Sequence, residues 1–378
     1  MKILLTLLTV IRVAFVGDPQ VDNEQELSYA RKSVYSELRS RHDLDMVVVL
    51  GDLVNDKVNL LAPSVASLDS LSLPWFCVPG NHDKDVYPKS TLKPRDTASY
   101  HKALGYTDTA FVRAGVNFIL MDNVRTREIA GYEGGLTDAQ KQWLASSLAS
   151  CSKGPIVLCA HIPFTQCVAR DSLQAILEPY TDRMLMMCGH THNVSRRHSE
   201  YGCEEVQAGA ACGSWWRGAK DDRGVPYALM NCGAPRGYFV AEFKPSATRW
   251  YRLRYKAEGR PASEQLSVTD RDGRLYVNVY GASAEGKVMV KAVGKDACSS
   301  PYRGWTVLER SKEMAPEVKA VYEYNRDVYG KKDRAWRKAH RDEFIPLRRL
   351  ASPHLWEGPS YGGKIKVKYS DGAMKINL

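Results

Sequence analysis

Eight side chains able to bind a divalent cation or move a proton recur after short apolar runs in the first 200 residues. In order they are Asp18 and Gln20, Asp52, Asn81 and His82, His161, and His190 with His192. Seven of them, all but His82, offer an oxygen or imidazole nitrogen of the kind that hard or borderline metals accept, enough for two adjacent ions. Asp52 is the natural bridge, because a carboxylate has two oxygens and can hold two cations at the ~3.5–4 Å that suits in-line displacement at phosphorus. Taken singly each residue has a plainer explanation: an Asp after a strand is often a turn or helix cap, and a His in a loop is often only hydrogen-bonded. Their recurrence argues otherwise.

The elements that must position them are legible as β-branched or apolar runs, each ending in one of these groups. Val13–Val16 leads to Gly17-Asp18, Met46–Leu50 to Gly51-Asp52, and Trp75–Val78 to Pro79-Gly80-Asn81-His82. Ile156–Cys159 leads to Ala160-His161, and Met184–Cys188 to Gly189-His190. Buried strands with polar or Gly-rich tips, separated by helix-like stretches, are the pattern of an α/β domain that binds its ligand at the strand ends.

The motifs Asp18-Pro19-Gln20, Gly51-Asp52-Leu53-Val54-Asn55-Asp56, Gly80-Asn81-His82-Asp83, His161 and Gly189-His190-Thr191-His192 resemble, in order, those of the calcineurin-like metallophosphoesterases. The resemblance implies a four-layer αββα sandwich of two mixed sheets flanked by helices. It implies a first metal on Asp18, Gln20, Asp52 and His192 and a second on Asp52, Asn81, His161 and His190, the ions being Mn, Fe, Zn or similar. It further implies that a hydroxide bridging both ions attacks phosphorus in line, with Asp52 and His82 as the catalytic pair and His82 protonating the leaving oxygen. Two positions depart from the commoner pattern. Gln20 stands where many relatives have histidine, and Asn55 where some protein phosphatases have an aspartate that orients the catalytic histidine; Asp56 or Asp83 are the residues that would compensate.

The second half carries a weaker resemblance. Ser214-Trp215-Trp216, Asp221 to Pro226, Gly237-Tyr238-Phe239 and Ser352 to Trp356 are similar to the C-terminal extension of a bacterial, Bacteroides-type branch of these enzymes. Alternating segments at 250–255, 275–280, 287–293 and 364–369 read as half-buried antiparallel strands of a small sandwich. The expected division is a metallophosphoesterase domain over 1–245 and a mostly-β domain over 246–378, with 313–341 a helical insertion or a solvated excursion. Trp215, Trp216, Arg217 and Lys220 are the expected substrate contacts, although the two tryptophans could equally pack between domains. His354 and Trp356 read as packing residues.

Composition bounds the rest. The net charge of +10 resides in the C-terminal third, where residues 244–378 hold 28 Lys+Arg against 16 Asp+Glu. Such a face attracts nucleic acid, anionic lipid or acidic polysaccharide, but no nucleic-acid-binding motif accompanies it, and a solvated basic face around Trp336 and His340 is the simpler reading. No segment has the ~20 apolar residues of a membrane span. Nine cysteines without CxxC spacing indicate no zinc ribbon or disulfide framework; Cys77, Cys159 and Cys188 read as core, whereas Cys203, Cys212 and Cys232 could pair in an oxidising compartment. Lys2 followed by apolar residues 3–11 reads either as an export signal or as the lead-in to the first strand. The expected protein is exported, periplasmic or extracellular, and acts on a phosphorylated small molecule, a lipid head group or a glycan, as a mono- or diester. The alternatives are a nucleotide or nucleic-acid phosphodiesterase, and a metal-free scaffold for which Gln20 and Asn55 are the hints.

Overall fold

The computed structural model describes residues 10–127, 131–261 and 264–377. Most of the N-terminal apolar run, residues 1–9, lies outside the described residues, so its reading as an export signal or lead-in does too. The first described strand begins at Ile11.

Two mixed sheets lie face to face. The first runs in the order Tyr251–Ala257, Gly237–Phe243, Ile11–Val16, Met46–Val49, Trp75–Cys77. Its last three strands are parallel and its first two antiparallel. The second runs Val194–His198, Glu204–Ala208, Met184–Cys188, Ile156–Cys159, Val116–Leu120, Thr109–Arg113, parallel in its centre and antiparallel at both edges. All five runs that lead to candidate ligands are strands, four of them central.

Period-two alternation sorts the second sheet between two cores. Phe118, Leu120, Val157, Cys159, Leu185 and Met187 face the first sheet, where Phe118 meets Phe243 edge-on at 6.0 Å and Phe243 meets Phe15 at 6.3 Å. Ile119, Leu158, Met186 and Cys188 face outward onto Leu144, Leu148, Leu173 and Leu177 of the helices Asp138–Ala149 and Arg170–Leu177. On the far side of the first sheet, Leu27, Leu38 and Leu68 of Glu24–Lys32, Val34–Arg39 and Leu61–Asp69 complete the core. Helix, sheet, sheet and helix make the four layers. Helix starts follow local chemistry: Asn23 accepts from the Glu26 N–H, and Thr137 and Gln140 form a reciprocal capping box.

Beyond residue 264 two four-stranded antiparallel sheets pack as a sandwich. One holds Leu266–Arg271, Arg274–Val279, Leu355–Pro359 and Glu309–Arg310, the other Thr306–Val307, Lys287–Ala292, Ile365–Ser370 and Lys375–Asn377. Leu275, Val277 and Val279 face Val288, Val290, Val367 and Tyr369 across its core. One expectation needs correction. A boundary at 245/246 cuts the hairpin formed by Gly237–Phe243 and Tyr251–Ala257, and the alternating run at 250–255, expected in the C-terminal sandwich, is instead the edge strand of the first sheet. Leu253 and Tyr255 are buried in the inter-sheet core. The segment 313–341 is helical, Pro316–Asp327 and Arg334–Ala339 among short turns, docked through Ala315 and Val318 onto Leu229. His354 and Trp356 are buried packing residues, His354 against Asn278 and Trp356 under Arg310.

Candidate metal centre and substrate cavity

Backbone hydrogen bonds continue past the strand ends and lace the motif loops together. The Gln20 N–H donates to the Asp52 carbonyl at 2.7 Å, Asp56 N–H to the His82 carbonyl at 3.0 Å, Gly189 N–H to the His161 carbonyl at 2.9 Å, and Ala211 N–H to the Gly17 carbonyl at 2.8 Å. Gly80 is required at one of these crossings: a Cβ there would lie 2.1 Å from Asp52 Oδ1 and 2.2 Å from Asp52 N. Asp18, Gln20, Asp52, Asp56, His190 and His192 all adopt left-handed backbone, with φ from 42° to 72°. Such conformations cost about 1–3 kcal/mol each for non-glycine residues and persist where surrounding structure holds a functional group in place.

The seven expected ligands converge. One donor atom each from Asp52, His161 and His190 lie within 4.8 Å of one another. His161 Nε2 is 3.3 Å from Asp52 Oδ2, 3.1 Å from Asn81 Oδ1 and 3.2 Å from His190 Nδ1. On the other flank His192 Nε2 lies 3.7 Å from Asp18 Oδ1, while the amide of Gln20 donates through Nε2 to Asn55 Oδ1 at 3.4 Å and its Oε1 lies 4.0 Å from Cys212 Sγ. His161 Nδ1 is held by the Leu50 carbonyl at 2.8 Å, which leaves Nε2 for a cation.

Electrostatics favour cations here. Asp18 and Asp52 are 0% and 1% exposed, and among the described residues neither has a lysine or arginine partner. Burial drives the Asp18 pKa well above the usual carboxylate range. Burial also opposes ionisation of Asp52, but His161 and His82 outweigh it and hold its pKa low. His161, despite burial, is raised to about 10 by Asp52 and Asp18, whereas burial and neighbouring histidines lower His190 to about 3, and burial lowers His192 to about 4. Two sequestered aspartates beside three imidazoles and two side-chain amides are a donor set that divalent metal ions fit, since an ionised buried carboxylate is costly without a cation and a bound cation would take the place of the protons on Asp18 and His161.

His82 stands apart from the ligands. Its backbone N–H donates to Asp52 Oδ1 at 2.8 Å and its ring Nδ1 meets Asp56 Oδ1 at 3.1 Å. Burial works against the imidazolium, but the bond to Asp56 and the field of Asp52 exceed it, and the pKa is raised. Asp56 thus makes the contact that Asn55 does not, and Arg95 braces it, reaching Asp56 at 3.2 Å and the Asn81 carbonyl at 2.9 Å. Asp83 is occupied elsewhere, accepting from the Gly80 and Val54 N–H groups.

A cavity of about 640 Å³ opens over this cluster. Gln20, Asp52, Asn81, His82, His190 and His192 reach it, with Asp18 and His161 wholly buried behind. Trp215 lines it, its ring inclined by 20° to that of His192 with centroids 6.3 Å apart. The other expected substrate contacts do not line it. Trp216 is 3% exposed, donates from Nε1 to the Pro19 carbonyl at 2.8 Å and packs on Tyr29. Lys220 is exposed above the Tyr29 ring, and Arg217 lies towards Arg341 and Asp342. Sequence reasoning missed Tyr132, Gln166, Asn231, Pro346 and Arg348 on the cavity wall. None sits in a motif, and the last two lie some 150 residues beyond the final ligand. The expected option of disulfides among Cys203, Cys212 and Cys232 is not realised, for all three are free and buried. Cys203 lies beside Ser199, Cys212 3.7 Å from His192 Nδ1, and Cys232 under the Val194 N–H.

A double-sheet α/β sandwich with histidine, carboxylate and amide donors at its strand tips defines a metallohydrolase scaffold. The family model described as calcineurin-like phosphoesterase matches residues 11–194, and that described as the C terminal of calcineurin-like phosphoesterase matches residues 205–372, so the chain belongs to the calcineurin-like phosphoesterases, with their C-terminal extension. It is a metal-dependent phosphoester hydrolase of a family that uses two metals. A probable glycerophosphodiester phosphodiesterase GpdQ from Arcobacter nitrofigilis is 24% identical over 207 residues, 48% of this chain and 72% of that one. Glycerophosphodiester phosphodiesterase GpdQ from Enterobacter lignolyticus is 25% identical over 185 residues, 45% of this chain and 64% of that one. The crystal structure of a dimetal phosphatase from Danio rerio overlays with a TM-score of 0.43 at 13% identity, covering 72% of this chain and 96% of that chain. Among the described residues no helix is long and apolar enough to cross a membrane.

Proposed function

We propose that the chain is a phosphodiesterase in which Asp18, Gln20, Asp52 and His192 hold one divalent cation, Asp52, Asn81, His161 and His190 hold a second, and His82 is the general acid. The observation that carries this reading is the convergence of Asp52, His161 and His190 donor atoms within 4.8 Å at the floor of an open cavity. Cations bound there supply charge stabilisation at phosphorus and water of near-neutral pKa. The protein's own part is orientation and proton delivery. Asp56 fixes His82 through Nδ1, so Nε2 is the atom left to give its proton to the departing alkoxide, and the same contact favours the protonated ring. Trp215 and Tyr132 wall the cavity beside His192 and His190, offering apolar surface to an ester substituent. The diester form is favoured because three curated relatives are phosphodiesterases by name, two of glycerophosphodiesters and one, probable, of cyclic nucleotides, and the cavity has room for two substituents. Export to the envelope or outside the cell, with a lipid head group or glycan phosphate as substrate, is part of the same proposal and rests on the charged, apolar residues 2–11 and the basic C-terminal third.

The test compares wild type with Asp52→Asn, measuring bound metal by elemental analysis and turnover of bis(p-nitrophenyl) phosphate, p-nitrophenyl phosphate, glycerophosphodiesters and cyclic nucleotides with Mn²⁺. Wild type is expected to hold close to two metals per chain and to favour diesters by at least about tenfold in kcat/KM, a gap of ~1.4 kcal/mol, with Asp52→Asn losing metal and activity together. Preference for the monoester would overturn the diester reading, and full metal content in Asp52→Asn would overturn the ligand assignment.

A further inference from the structure

The C-terminal extension does more than pack behind the catalytic sheets: residues 345–348 are a strut that ends at the substrate cavity. Ile345 is buried and packs so tightly on the loop after the tryptophan pair that a Cβ on Gly218 would fall 2.9 Å from its Cδ1. The Ile345 carbonyl accepts from Asn325 Nδ2 of the helix Pro316–Asp327 at 2.7 Å, and Leu347 packs against the cluster of Leu229, Ala315 and Val318. Just upstream, the Asp342 carbonyl accepts from the Gly218 N–H at 2.8 Å. At the tip, the Arg348 N–H donates to Asn231 Oδ1 at 2.6 Å, and Asn231, Pro346 and Arg348 all line the cavity that contains Asp52 and His82. The backbone carrying Arg348 is therefore fixed from three sides before any substrate arrives.

Arg348 is the one lysine or arginine among the residues lining this cavity. Among the described residues no ion pair engages it, which is equally true of its exposed neighbours Arg341 and Arg349, but of these three only Arg348 lines the cavity. An unpaired guanidinium on a pinned backbone, at the wall of a site built for phosphoryl groups, matches the planar fork that recognises carboxylate or phosphate. Prior fixation lowers the ordering cost of such a contact and makes it selective.

We infer that Arg348 is a specificity residue that binds a second anionic group, a phosphate or carboxylate on the organic part of the ester, so that the natural substrates carry a negative charge beyond the phosphoryl group that is cleaved. The inference rests on the proposed catalytic role of this cavity. It gives the extension a role in substrate choice.

Competitive inhibition of bis(p-nitrophenyl) phosphate hydrolysis by propyl phosphate and by alkane α,ω-bisphosphates of three to six carbons, at saturating Mn²⁺, tests it in the full-length enzyme. Within each protein the readout is the ratio of the two inhibition constants, which does not depend on that protein's absolute rate. Wild type is expected to bind the best bisphosphate at least about tenfold more tightly than the monophosphate, Arg348→Ala to bring the ratio to within about twofold of one, and Arg348→Lys to restore part of it. Absence of a bisphosphate preference in wild type, or its persistence in Arg348→Ala, overturns the inference while leaving the phosphodiesterase reading intact. If wild type neither hydrolyses the aryl ester nor binds either phosphate, the catalytic reading of the cavity fails, and the inference with it.

Discussion

At the scale of single residues, burial sets two of the proposed metal ligands apart from the proposed acid. Asp18 and His161 are sealed beneath the cavity floor, whereas His82 has 27% of its side chain exposed and so can meet a substrate. This predicts a leaving-group signature. His82→Ala should lower kcat by about 10²–10³ on glycerophosphodiesters, whose alkoxide needs a proton, and by much less on p-nitrophenyl esters, whose leaving group is already stable. Asp56→Asn should give a loss of about tenfold in the same direction, because it keeps the shape but withdraws the charge that supports the imidazolium. Equal losses on both ester types would remove His82 from proton delivery. The placement of the donor residues at strand tips was legible in the sequence because each follows an apolar strand. The partnership of Asp56 with His82 was open between Asp56 and Asp83, and the fold decided it by spending Asp83 on the Gly80 and Val54 N–H groups.

At the scale of elements, the loops hold their shape because backbone crosses backbone at distances only glycine permits. Gly80→Ala places a methyl carbon 2.1 Å from Asp52 Oδ1. It should destabilise the protein by at least about 2 kcal/mol in urea unfolding, as overpacked sites do, and should lower activity by more than about 100-fold through displacement of Asp52. Gly304→Ala, with open space around its Cβ position, should stay within about 0.5 kcal/mol of wild type, as surface changes usually do. Should the two variants unfold alike, the close approach of the Gly80 loop to Asp52 is not a constraint on the fold. The alternating run at 250–255 shows where reading elements from sequence ends. Its pattern correctly marks a strand with one buried face, but a period of two is identical whichever sheet the strand joins. Pairing with Gly237–Phe243 was a matter of hairpin proximity, which the pattern does not encode.

On the scale of the whole molecule, the extension is tied to the catalytic sheets by buried charge. Arg196, on the edge strand of the second sheet, donates to Asp371 of the C-terminal sandwich at 2.6 Å and to the Gly281 carbonyl, and its other partner is Glu204. Arg196 and Asp371 have side-chain exposures of 1% and 2%, so removing Asp371 strips a buried guanidinium of one of its two carboxylate partners and leaves it only Glu204, at a cost of about 1–3 kcal/mol. Burial alone would raise the Asp371 pKa, but Arg196 and the bonds from the Tyr369 hydroxyl and Met374 N–H hold it below its ordinary value. With a folded pKa under the unfolded value of about 3.9, this stabilisation is complete above that value and is lost as pH falls through the folded pKa. Asp371→Asn should therefore lower Tm at pH 7, and the difference from wild type should shrink below about pH 4; a gap unchanged from pH 7 to pH 3 would refute the assignment of this pair as the source. The sequence by itself determined the reaction class, which donor residues stand at the strand tips and the two-part α/β-then-β order, because strand periodicity and the residues at strand tips are local properties that repeat along the chain. Only the tertiary structure decided that residues 251–257 close the first sheet, that Trp216 packs while Trp215 faces the cavity, and that Arg348 arrives at a site whose proposed metal ligands end at His192. The last two depend on contacts between segments distant in the chain, and the first on a hairpin whose sheet the alternation does not name, so packing and pairing, not local pattern, choose the partner.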